Sequence, residues 1–308
     1  MPALLAGCAG AGGQATFRSD AQSQAATRLE RGIRAQNKGE IDQAENYLAD
    51  SLRISSSIED NSARITALVN LARLNRLNNK PGQAALYIDQ ALKLAADLPG
   101  FMAEAAYEKA LIELAQKHFG EALVWATTSL SSDNGGEKGK RLNLLARIHL
   151  AAGNRAEATF FVTKAREESR SNGQASEEAN SLRTLGAMER ENRRFDEAGK
   201  LLLEALAIDK QIGESRKIAL DLEELAATAH DQGNLNMELD YLERAFSVHI
   251  NAARTDRAAS TQLKIAENCR KSGNGAMAEK ALQTAEQLIR NNSTNQRSSQ
   301  SASPSSRP

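Results

Sequence analysis

The chain has 308 residues, of which 41% are hydrophobic, only 4% aromatic and 25% charged. So few aromatic residues suit helix-on-helix packing and argue against a β-sandwich or barrel, whose strands favour aromatic and β-branched side chains. Lys plus Arg equals Asp plus Glu at 39 each, so no long-range field draws the chain to nucleic acid or to an anionic membrane surface.

The chain opens MPALLAGCAGAGG. Leu5, Ala6, Gly7 and Cys8 place an apolar residue and two small residues before a cysteine, and this resembles the bacterial lipobox. The resemblance implies that Cys8 is lipidated and becomes the first residue of the mature protein, with residues 1–8 as the residual signal. No Lys or Arg precedes Cys8, and the apolar run is shorter than a secretory core. The lipobox reading therefore implies a natural reading frame that begins upstream.

Residues 9–24 are rich in Ala, Gly, Gln and Ser without apolar periodicity, and are expected to form a flexible tether spanning about 20 Å. From residue 25 to residue 292 the chain is expected to run as helix pairs joined by short polar turns. Its fullest pattern lies at Ala175–Gly213, where Leu182, Leu185, Gly186 and Glu189 share one face of a first helix. Phe195, Ala198, Leu201, Leu202 and Ala205 share one face of a second.

Small residues recur with fixed spacing. Gly32, Ala72, Ala110, Ala146, Gly186, Ala226 and Ala266 are each followed twelve residues later by Ala44, Ala84, Ala122, Ala158, Ala198, Glu238 and Ala278. Seven residues further on come Ser51, Ala91, Ser129, Ala165, Ala205, Ala245 and Ala285. Glu238 is the one large exception. Successive copies lie 36 to 40 residues apart, within the range of stacked supersecondary units.

This skeleton resembles the tetratricopeptide repeat (TPR) family, with turn glycines matched at Gly39, Gly153, Gly233 and Gly273. The resemblance implies an all-α fold, a right-handed α-solenoid of about seven TPR-like helix pairs in repeats of 36–40 residues. Each pair is too small to bury its own apolar face, so neighbours complete one another's core. The last stretch, residues 293–308, has no apolar residue beyond Ala302 and is expected to be a disordered tail.

Signals for catalysis are missing. His118, His149, His230 and His249 lie in different repeats, and none stands in an HExxH or CxxC spacing. Cys269 has an interior place on the first helix of the last repeat and reads as a buried, inert thiol. No enzyme activity, cofactor, metal or small-molecule substrate is expected.

In the resembled family the first helices line a concave groove, so residues one turn from the packing positions are expected to face a ligand. They begin with Arg73, Arg76 and Tyr107. Lys140, Asn143 and Arg147 follow, and then Asn180, Arg183 and Arg190. Arginine can hold carboxylates bidentately and asparagine can meet a peptide backbone, so an acidic protein or peptide partner is expected.

The sequence thus reads as a non-catalytic interaction scaffold. The lipobox resemblance places it in the cell envelope at the outer membrane, facing the periplasm, with the membrane touched only through the lipid. The alternative is a cytosolic TPR peptide sensor or regulatory adaptor in which Cys8 is incidental.

Overall fold

The computed structural model describes residues 19–134 and 136–301. Cys8 lies outside them, as does most of the expected tether. Among the described residues the fold is all-α, with fourteen helices and no strand. They form seven pairs. The chain divides into two compact units, one ending at Glu108 and one beginning at Lys109.

The first unit contains α1 (Asp20–Lys38), α2 (Ile41–Ser57), α3 (Asn61–Leu77) and α4 (Pro81–Leu94), and the division falls within α5 (Pro99–Ala115). The second contains α6 (Phe119–Ser131), α7 (Lys138–Ala151), α8 (Arg155–Ser171), α9 (Ala175–Glu191) and α10 (Phe195–Ile212). It continues through α11 (Ser215–Asp231), α12 (Leu235–Asn251), α13 (Thr255–Lys271) and α14 (Gly275–Ser301). No helix of the described residues is long and apolar enough to cross a membrane.

Two boundaries differ from the sequence reading. The first helix begins at Asp20, inside the stretch expected to be a tether, because Ser19 and Gln22 form a capping box. The Gln22 amide donates to Ser19 Oγ at 3.2 Å and the Ser19 amide to Gln22 Oε1 at 3.0 Å, so two of the helix's orphan donors are satisfied locally. At the other end α14 continues past Asn292 to Ser301. Neither Gly nor Pro occurs between Gly275 and Pro304, so nothing in the backbone chemistry stops the helix where apolar periodicity ends.

Every member of the small-residue skeleton is buried. Two glycines are there for lack of space. A Cβ on Gly32 would sit 2.7 Å from Leu48 Cγ, and one on Gly186 would sit 2.8 Å from Leu202 Cγ, with both leucines fully buried. In each unit, leucines of successive pairs fill the gaps beside the small residues: Leu48, Leu71 and Leu74 in the first, and Leu202, Leu206, Leu222 and Leu225 in the second.

The turn inside each pair contains one left-handed residue. It is Gly39, Gly153, Gly233 and Gly273 in four pairs, as the family resemblance implies, but Asn79, Lys117 and Arg193 in the other three, with φ of 56°, 62° and 61°. The requirement comes from the helix end. An amide just beyond the turn reaches back five residues, as in Arg194 N to Glu189 O at 2.9 Å, and only a left-handed residue lets the chain close that bond.

Candidate partner-binding face

Within each unit the first helices of successive pairs touch directly: α1 with α3 in the first unit, and α7 with α9 and α9 with α11 in the second. Polar residues one turn from the skeleton therefore meet across pairs. In the first unit Arg73 Nε and Arg76 Nε of α3 both reach the carboxylate of Glu108 on α5, at 3.2 and 2.6 Å. Glu108 is wholly buried, so the two cations compensate an otherwise costly charge. Tyr107, its neighbour in sequence, is half-buried.

The second unit repeats the device. Asn143 of α7 is buried and donates through Nδ2 to the carbonyl of Glu177 at 3.0 Å and to Glu177 Oε2 at 3.1 Å, while its Oδ1 accepts from Ser181 Oγ at 2.8 Å. Asn180 of α9 donates to the same Glu177 carboxylate at 3.0 Å and accepts from Arg183 Nη1 at 2.8 Å. Arg183 then bridges two buried acids, with Nη2 2.5 Å from Asp209 Oδ2 and Nε 2.6 Å from Asp221 Oδ1. Arg190 pairs with Glu224 at 2.9 Å and Asp231 at 3.4 Å on α11. Lys140 lies 2.5 Å from Glu137, and Arg147 is exposed.

The sequence reading thus identified residues that do converge, but not their state. Apart from Arg147, the cations expected to await an acidic ligand already oppose carboxylates of this chain. The acids that engage the arginines are Glu108, Asp209, Asp221, Glu224 and Asp231, and none of them was singled out. A signal existed: Glu108 stands 35 residues after Arg73 and Asp221 stands 38 after Arg183, about one repeat, so stacking brings them side by side.

The Arg183 cluster holds one cation between two carboxylates. Burial pushes Asp221 up to about 7 against the pull of Arg183, and burial likewise raises Asp209. Asp209 Oδ1 and Asp221 Oδ2 are buried without a hydrogen-bond partner. Protonation of Asp221 lowers the negative charge that the single cation must balance.

Three of the four histidines have carboxylate partners, which spacing did not show. His118 lies 2.9 Å from Glu113, His230 3.0 Å from Glu238 and His249 2.9 Å from Glu223, while His149 stacks on Phe161 at 5.2 Å between centroids. Glu238, the large exception in the skeleton, turns its carboxylate to His230 and accepts from Asn268 Nδ2 at 2.9 Å. Cys269 is buried, and burial pushes its thiol up, away from the reactive thiolate. No His, Cys, Asp and Glu grouping among the described residues has metal-site geometry.

The first unit also contains a cavity of about 410 Å³ between α3 and α5, with Thr66, Val69, Asn70, Arg73, Phe101 and Glu104 among its walls. It lies on the first-helix side. Val69 and Phe101 make its lining apolar, and Asn70 and Arg73 give it a polar edge.

Residues 177–250, which span α9 to α12, match the model of the tetratricopeptide repeat family. Among curated proteins none matches this chain in sequence. Among solved structures, BtubC (BKLC) from P. vanneervenii is similar over 75% of this chain and 95% of its own, at 17% identity and a TM-score of 0.58. The Rap protein complexed with Competence and Sporulation Factor is similar over 87% of this chain and 78% of its own, at 15% identity and 0.59. NprR in complex with its cognate peptide NprX is similar over 84% and 76%, at 14% identity and 0.53. At such identities the likeness shows the fold alone.

Proposed function

We propose that the chain is a non-catalytic scaffold that binds a protein or peptide partner on the face presented by its first helices. The observation that supports this most is the cavity between α3 and α5. Its volume of about 410 Å³ accepts one large apolar side chain of an extended segment, against Val69 and Phe101. Around it the polar side chains are held by neighbouring repeats, as Arg73 and Arg76 are by Glu108, so little rotamer freedom is lost on binding.

The test is capture of the partner by the full chain from solubilised membranes and from the soluble fraction. Thr66→Trp fills the cavity and is expected to reduce recovery of the captured protein about tenfold, equivalent to about 1.4 kcal/mol. Equal recovery by a folded Thr66→Trp variant sinks the reading.

The proposal extends to location. The run Leu5-Ala6-Gly7-Cys8 supports lipidation of Cys8 and attachment to the envelope, facing the periplasm. Cys8→Ser, expressed from the full natural reading frame, is expected to move the protein from the membrane to the soluble fraction. A second reading, a cytosolic peptide sensor, draws on the likeness to NprR, which was solved with its peptide. Unchanged fractionation of Cys8→Ser favours it.

A further inference from the structure

Arg254 is the residue that precedes α13, and its side chain reaches back across one repeat, with Nη2 donating to the carbonyl of Ser215 at 3.3 Å. Arg216 is next in the chain to that serine, and Arg257 lies one turn further along α13. The turn before α11 and the turn before α13 therefore bring three arginines together. Arg216 and Arg257 are exposed, and none of the three has an ion pair among the described residues. Arg254 Nε is buried and has no acceptor.

This is unlike the arginines of the first-helix face, which oppose acids of the same chain. Burial, and then the charge of Arg216, hold the Arg254 guanidinium below its ordinary range, with Arg257 acting the same way. Two carboxylates, Glu223 and Asp256, offset part of this crowding, but neither makes an ion pair with any of the three arginines. Glu223 is held by His249 at 2.9 Å, and Asp256 is exposed on the first turn of α13. Lys264 adds a further positive charge towards Glu223. With no carboxylate in ion-pair contact and Arg254 Nε without an acceptor, an anion from outside would relieve the repulsion that remains.

We propose that Arg216, Arg254 and Arg257 form an anion-binding edge at the turns before α11 and α13, which takes the carboxylates of an acidic segment of the protein partner. The number of charges decides the class of ligand. Polybasic membrane sites use about four to eight cations, and duplex binders commonly neutralise six or more phosphates, whereas this edge offers three on a chain of zero net charge. Guanidiniums pair with carboxylates in bidentate geometry, so three suffice for a short run of Asp or Glu. The inference rests on the scaffold reading, and it gives that scaffold a second contact that selects acidic sequence.

The experiment uses the full chain and labelled hexaglutamate, read by fluorescence anisotropy at low and moderate salt. The double variant Arg216→Gln/Arg257→Gln removes two exposed cations whose side chains make no hydrogen bond or ion pair among the described residues, whereas Arg254 is left in place because it ties down Ser215. Binding is expected to weaken at least about tenfold in the double variant, to be unchanged in Arg31→Gln, and to fall with added salt. Absence of hexaglutamate binding, or equal binding by wild type and double variant, overturns the proposal. So does the case in which phosphatidylglycerol vesicles, and not hexaglutamate, bind through these two arginines. If the captured partner is lost with Thr66→Trp but retained by the double variant, the edge falls and the scaffold reading stands.

Discussion

The guanidinium of Arg183 meets Asp221 at 2.6 Å, and this pair ties α9 to α11, the first helices of two successive repeats. Asp209, at the far end of α10, completes the cluster on the same arginine. Both acids are wholly buried. A buried ion pair adds little net stability beside an apolar packing of equal volume, but breaking one is expensive because the surviving charge has no solvent. The cluster therefore acts as a register pin between repeats.

Removing the arginine tests the pin. Arg183→Met leaves two buried carboxylates without a cation and is expected to cost about 3 to 5 kcal/mol, read by chemical denaturation. Glu204→Arg breaks the pair with Arg166, whose partners are partly exposed on α8 and α10, and is expected to cost no more than about 1 kcal/mol. Equal losses would show that the cluster is not a pin. The contrast also means that charge reversal at Arg183 reports folding before it reports binding.

The same cluster sets a pH dependence whose sign can be worked out. Burial raises Asp221 from its ordinary 3.8 to about 7, so the folded state binds a proton that the unfolded state has released. Its stabilising contribution is whole below about pH 4 and is lost as pH rises through about 7. Glu113 and Glu223 are lowered and act oppositely: burial works against the shift, while the hydrogen bonds of His118 and His249 carry it, so their contribution is lost as pH falls through their folded values. The difference between wild type and Asp221→Asn isolates the first effect. Wild type is expected to lose about 2 kcal/mol relative to the variant between pH 5 and pH 8. Parallel stability curves over that range would rule out the raised Asp221 carboxyl.

Gly186→Ala sets helix propensity against space. Alanine gains up to about 1 kcal/mol in a helix interior. Its Cβ would lie 2.8 Å from Leu202 Cγ, inside a fully buried crossing, and overpacking of this kind costs about 1 to 3 kcal/mol. A net loss is expected, seen as a lower Tm, and Ala198→Leu at the facing position is expected to lose at least as much. A Tm at or above wild type for Gly186→Ala would mean that the α9–α10 crossing has room for a methyl group.

Glu238 stands where other repeats have a small residue, and spacing alone suggests that a leucine there would be tolerated. The His230 and Asn268 contacts predict otherwise. Glu238→Leu leaves the His230 ring and one of the two N–H groups of Asn268 Nδ2 without an acceptor, the other still donating to the Leu235 carbonyl, at a cost of about 1 to 3 kcal/mol, while Glu238→Gln keeps an acceptor and loses less. Thermal unfolding of the two variants distinguishes them.

Turn chemistry offers a stabilising change. Arg193 sits at φ 61°, where a side chain costs about 1 to 2 kcal/mol, and glycine removes that strain at an entropic cost of about 0.5 to 1 kcal/mol. Arg193→Gly is therefore expected to raise stability by about 0.5 to 1 kcal/mol, and Lys117→Gly by a similar amount.

Sequence alone determined the repeat. The small residues at fixed spacing specify where helices cross, because a close crossing excludes large side chains whatever surrounds it, and every such position proves to be buried. The turns were half legible: Gly39, Gly153, Gly233 and Gly273 announce a left-handed residue, while Asn79, Lys117 and Arg193 adopt it under the pull of the backbone bond beyond the turn. Helix ends were less so, since Ser19 and Gln22 look like linker composition until their side chains are seen to close on the backbone. The charge state of the first-helix face was decided only by tertiary structure. Arg73, Arg76, Arg183 and Arg190 look like free cations along the chain, because their acids lie about one repeat away or on the other helix of the pair. Whether two such groups meet depends on rotation and rise between helices, to within an ångström or two, and ion pairing is sensitive to distance on that scale. The same stacking leaves Arg216, Arg254 and Arg257 together with no acid in ion-pair contact among the described residues, although nothing in their spacing sets them apart from the arginines that found one.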